Sequence, residues 1–165
     1  DEQYIGAKVI ALQEIEEAFE VIKGNREKIK VYIENNKNTL PDDFSNILKD
    51  INYVASLDID ADQRLNVFMK TLGYDCNKLW NYFVMSLVYL GAVALLAIGI
   101  VVIGDAIIML IPDPSILGPI AIGVLQLTML AGMVIELGLA VVAAFLIIIN
   151  NTAFLALPLC WMGLI

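Results

Sequence analysis

Two apolar runs, Tyr82 to Ile111 and Ile116 to Ile149, constrain this chain more than any other feature. The segment Pro112-Asp113-Pro114-Ser115 separates them. About 20 apolar residues already span the hydrocarbon core of a bilayer, and each run exceeds that length. No Lys or Arg follows Lys78, and the only formal charges beyond it are Asp105, Asp113 and Glu136. The pattern predicts an all-α protein in three parts: an amphipathic helical domain over residues 1–74, a long two-helix transmembrane hairpin over residues 75–150 turning at 112–115, and a short apolar tail over residues 151–165. Fourteen or so apolar residues interrupted by Pro158 are too few to span, so the tail reads as interfacial or re-entrant.

Charge follows the same division. Residues 1–78 carry all ten basic residues and fifteen acids, and residues 79–165 carry three acids alone, which together give the net charge of −8. Phosphate neutralisation needs clustered Lys and Arg, so nucleic acid is excluded as a partner. Attraction to anionic lipid is equally disfavoured, and attachment to a bilayer has to be hydrophobic. The chain has no His, which removes imidazole bases, His metal sites and catalytic triads. Cys76 and Cys160 form no CxxC pair and read as two unpaired thiols, with neither a zinc site nor a disulfide framework indicated. No nucleotide-binding or nucleophile motif is present. The sequence therefore points away from an enzyme and calls for no cofactor or metal. A chain that starts at Asp1 rather than Met reads as a processed product.

In the polar half, Leu12, Ile15, Phe19 and Ile22 predict a helix over residues 3–23 that stops at Gly24. Asn25 is placed to cap a second helix with Ile29, Tyr32 and Ile33 on its apolar face. After Pro41, the spacing of Phe44, Ile47, Leu48, Ile51, Val54 and Ala55 gives the clearest amphipathic helix. A fourth helix is expected from Asp60 to Leu72. Asp58-Ile59-Asp60-Ala61-Asp62 superficially resembles a calcium loop, but the sixth and twelfth positions hold Gln63 and Met69 where Gly and a bidentate acid are needed. The acids read instead as helix caps. Four short helices of this kind build a modest core, and domains of about 70–80 residues usually borrow a partner surface.

Asp75 or Asn77 is expected to cap the first apolar helix, with Trp80, Tyr82 and Tyr89 as anchors at the lipid interface. In the second run, Thr128, Gly132, Glu136, Ala140 and Ala144 recur every four residues, a small-residue stripe suited to close helix packing in lipid. Ala92, Gly99 and Ala106 form a second candidate packing face. Glu136 stands out because a carboxylate at membrane depth costs a few kcal/mol unless protonated, paired or hydrated. A hairpin folded about Asp113 would set it level with Leu90, within reach of Tyr89 or Ser86. It reads either as an acid that glues helices together or as part of an ion pathway. Asp105 reads as a solvated or helix-end acid.

Three functions follow as expectations. The leading one is an integral membrane structural or assembly subunit, of the virion-membrane or membrane-sheath kind, that forms homo-oligomers in the lipid bilayer through its hairpin or joins a larger membrane assembly. A second is a helical pore-forming protein whose amphipathic helices shield the hairpin until insertion. The third is proton or ion conduction through Glu136. The basic residues all precede the first run, which by the positive-inside rule favours a cytoplasmic N-terminal domain, while the excess of acids in that domain weighs against it and leaves the topology open.

Overall fold

The computed structural model describes residues 2–40, 42–71, 75–97 and 129–163. All regular structure among them is helical: α1 (Glu2–Gly24), α2 (Arg26–Asn35), α3 (Asp42–Ser56), α4 (Ala61–Thr71), α5 (Cys76–Ala97), α6 (described over 129–137) and α7 (Leu139–Trp161). The inter-run turn at 112–115 lies outside the described residues, as do Asp105, Thr128, Gly99 and Ala106.

The amphipathic helices form where the spacing predicts them. In α1, Ala11, Ile15, Ala18, Phe19 and Ile22 are buried on one face, and in α3 all six apolar residues singled out above are buried. Asp60 and Gln63 start α4 with a reciprocal capping box: the Gln63 N–H donates to Asp60 Oδ1 at 2.9 Å, and the Asp60 N–H donates to Gln63 Oε1 at 3.2 Å. Asp75 caps α5, its Oδ1 accepting from the N–H groups of Asn77 (3.0 Å) and Lys78 (3.3 Å). Asn25 behaves differently from expectation. Its side chain makes no bond to the start of α2 and instead donates to the Val21 carbonyl at 2.8 Å, closing the end of α1.

The second apolar run does not form one helix. Gly138 has φ +95°, a conformation strained for any L side chain, and ends α6 through an N–H bond to the Val134 carbonyl at 2.9 Å. From there α7 runs through Ile149 and the expected tail to Trp161. Pro158 sits in its last turn, where the missing donor forfeits one bond to the carbonyl four residues back and the helix stops soon after.

α7 is the axis of the fold. Its most extensive contacts are with α5 and α1, and α4 also touches it. Val142, Phe145, Ile148, Ile149 and Ala156 on α7 are almost wholly buried in a core continuous with Ile15, Phe19 and Ile22 of α1, Leu48 and Ile51 of α3, and Phe68 of α4. The amphipathic helices thus complete their core on the apolar helix. Each large side chain so enclosed contributes roughly 1.5–3 kcal/mol relative to exposure.

Candidate functional site

Polar groups at the middle of α7 fix how its two neighbours lie against it. Asn150, Asn151 and Thr152 interrupt the apolar sequence at its midpoint. The Asn150 side-chain amide donates to Ser86 Oγ on α5 at 2.9 Å, while Ser86 donates to the Phe83 carbonyl at 2.8 Å. The Asn151 side-chain amide donates to Glu14 Oε2 on α1 at 2.8 Å. A polar pair between packed helices is satisfied in one register only, so it specifies alignment more than it adds stability. Thr152 Oγ1 is buried without a hydrogen-bond partner.

Both pairings are antiparallel. On one side, Cys76 meets Cys160 in a disulfide, with Cα atoms 5.7 Å apart. Ten residues later in α5 and ten earlier in α7, Ser86 meets Asn150. On the other side, Glu14 of α1 meets Asn151, and beyond both helix ends Lys28 of α2 donates from Nζ to the carbonyl of Leu137, the last residue of α6, at 3.3 Å. From the Glu14–Asn151 contact, Glu17 and Glu20 follow along α1 toward the Gly138 end of α7. Glu17, Glu20 and Lys23 are exposed and Glu14 is exposed at the edge of the contact, so apart from the Glu14–Asn151 bond α1 presents apolar residues to α7 and charge to the outside.

The disulfide corrects the expectation of two unpaired thiols. The 84-residue separation carries no spacing signal, and only the antiparallel register of α5 and α7 brings the cysteines together. The hairpin register is corrected too. Glu136 does not reach Tyr89 or Ser86; it is exposed at the α6–α7 break and accepts from the Asn36 side-chain amide at 3.3 Å. Asn36 also donates to the Tyr32 carbonyl at 2.9 Å, and burial, then the Glu136 charge, push the Tyr32 phenol up to about 12. The four-residue stripe is interrupted because Gly138 lies inside it: Glu136 and Ala140 are exposed, Gly132 is partly covered, and Ala144 is buried. Ala92 lies within α5, between the exposed Gly91 and the buried Val93. Of the expected interface aromatics, Trp80 is exposed, Tyr82 half-buried and Tyr89 buried.

Arg64, which the periodicity of α4 did not single out, is a buried tie between α4 and α1. Its guanidinium donates to the Leu57 carbonyl at 3.2 Å, lies 3.9 Å from Glu20 Oε1, and sits 5.7 Å from the centre of the Phe19 ring. A polar cleft of about 300 Å³ lies among Asn46, Lys49, Asp50, Thr71, Lys78 and Tyr82, where burial raises the Asp50 carboxyl above its ordinary value. Among the described residues no group of three or more Cys, Asp or Glu is gathered as a metal would require.

α7 has a mean hydropathy of 2.2 over its most apolar window and is long and apolar enough to cross a membrane. Yet 67% of that window lies buried inside the protein, as in the core helix of a soluble bundle. It is the single helix among the described residues to meet that length and composition. No protein-family model, curated protein or solved structure matches the chain.

Proposed function

We propose that the protein is a membrane-inserting, pore-forming helical protein in its sheltered form, with α1 as the cover of α7. The observation that carries this is the packing of a charged amphipathic helix along the most apolar helix among the described residues. If α7 spanned a bilayer in this arrangement, Glu14, Glu17, Glu20 and Lys23 would enter hydrocarbon beside it. At a few kcal/mol each, four charges cost on the order of 10 kcal/mol. The arrangement therefore suits water, and insertion requires α1 to leave. α5 has no such obstacle, since it carries no charge from Leu79 to Ala97 and satisfies Asn150 of α7 through Ser86.

The structural-subunit reading is the alternative, and one observation favours it. Glu136 and Ala140 are uncovered and a Cβ on Gly132 would meet nothing within 4 Å, so these positions are open to a second copy. Ion conduction through Glu136 loses its motive in this arrangement, because the acid is exposed rather than enclosed.

Detergent-free purification followed by dye release from phosphatidylcholine vesicles separates these readings. The sheltered form is expected to be soluble without detergent and to release dye on addition. Protein extractable from membranes only by detergent would overturn the proposal and favour the structural subunit.

A further inference from the structure

Exposed apolar residues on the outer face of α5 run in one strip. Trp80, Val84, Leu87 and Val88 are 41–52% exposed and recur at i, i+4, i+7 and i+8, and the exposed Gly91 and Ala94 continue the face. Along its length the strip is graded. It begins beside the exposed Lys78, whose ammonium lies 5.7 Å from the Tyr82 ring centre, passes through Trp80, and then becomes purely aliphatic and small.

At the aromatic end the strip crosses onto α7. Trp80 and Trp161 have ring centroids 6.1 Å apart, and Phe83 and Phe154 6.3 Å apart. Trp161 and Met162 are more than 60% exposed, and the Cys76–Cys160 disulfide ties the two helices beside this cluster. Ile5 and Val9 on α1, both at least half exposed, add apolar surface on a third helix.

We propose that this strip of α5, with Trp161 beside it, is the surface through which the protein meets a zwitterionic phospholipid bilayer, the Cys76 end of the helix staying outermost. Trp80 and Trp161 enter at the headgroup level, and Val84, Leu87 and Val88 follow into the hydrocarbon. The inference rests on the membrane-inserting reading above and names the surface that reading leaves open. Here the ordering from ammonium to indole to aliphatic runs along one helix axis, as depth does in a bilayer. The net charge of −8 gives no attraction to anionic lipid, which selects a neutral headgroup.

The chain contains two tryptophans, both in this cluster, so intrinsic emission reports the surface directly. Whole protein with its disulfide intact is titrated with phosphatidylcholine vesicles, with and without brominated acyl chains, while cosedimentation measures binding. The expected result is a blue shift and strong quenching by brominated lipid, shared between Trp80→Phe and Trp161→Phe. Trp80→Glu, with the wild-type circular dichroism spectrum, is expected to bind about tenfold more weakly. Cosedimentation with unshifted, unquenched emission would overturn this surface and leave the membrane-inserting reading standing. Absence of cosedimentation under these conditions would overturn both.

Discussion

α7 has two flanks of opposite character. Against α5 it is joined by a disulfide, a neutral Asn150–Ser86 bond and aromatic contacts, and the partner helix is itself apolar. Against α1 it is joined without covalent linkage, by an apolar stripe and one bond to a carboxylate, and the partner's outer face is charged. On the proposed reading the first flank keeps its contacts when lipid replaces water and the second gives them up, which makes α5 the companion of α7 and α1 its removable cover.

The sharpest way to break that comparison is to make the two flanks alike. Glu14→Cys/Asn151→Cys protein, joined across the α1–α7 contact by a short bismaleimide, is expected to lose vesicle dye release almost completely. The unjoined protein should keep it. Release from fully joined protein would show that α1 need not move.

Removing the covalent half of the other flank comes next. Cys76→Ser/Cys160→Ser opens an 84-residue loop, and chain entropy puts the cost at about 4.5 kcal/mol, to be read as a lower urea midpoint. An unchanged midpoint would mean that the disulfide constrains nothing the register does not already hold.

The tie between α1 and the rest of the bundle is weaker. Arg64→Ala removes a buried guanidinium with its contacts to Leu57, Glu20 and Phe19, and about 2 kcal/mol of stability is expected to go with it. Arg64→Lys, a point charge in place of a planar fork, should recover only part. If Arg64→Ala also speeds dye release, the α1 cover is loosened by the same change.

Much of this arrangement is legible in the residues and some is not. Phe44 to Ala55 and the Asp60–Gln63 pair announce α3 and the start of α4 because periodicity and capping are local properties. Asp75 is a legible cap for the same reason. The break at Gly138 is not legible: it is one of 11 glycines, and only its positive φ distinguishes it from Gly132, six residues earlier inside α6. The register in which Asn150 rather than Glu136 meets Ser86 is not legible either, because no local signal sets it. The disulfide was hidden with it, since pairing depends on that register and not on cysteine spacing. The small size of the amphipathic bundle announces that it needs a further surface to complete its core, but hydropathy reports which surfaces are apolar and not which helix covers which, so the role of α7 as that surface is not legible.

Smaller effects sharpen the picture. Thr152 Oγ1 has no partner in the core, and Thr152→Val keeps its shape without the hydroxyl. A gain of about 1 kcal/mol is expected in the urea midpoint; a loss would reveal a partner for the hydroxyl. Tyr32 has its phenol raised from 10.0 to about 12, first by burial and then by Glu136. A group raised in the folded state lends stability that is complete below its unfolded value and is lost as pH climbs through the folded one. Stability should therefore fall between pH 10 and about 12 through this residue. The slope should diminish in Tyr32→Phe, and Glu136→Gln should move the phenol back down.

The most direct test of the two-flank account is a pair of distances followed from water into lipid. Spin labels at Lys23→Cys and Ala140→Cys span the α1–α7 flank, and labels at Val84→Cys and Phe154→Cys span the α5–α7 flank, with the native disulfide left intact. On binding phosphatidylcholine vesicles, the first distance is predicted to lengthen and broaden while the second stays short. An α1–α7 distance that remains unchanged in protein shown to be inserted and releasing dye would contradict the account.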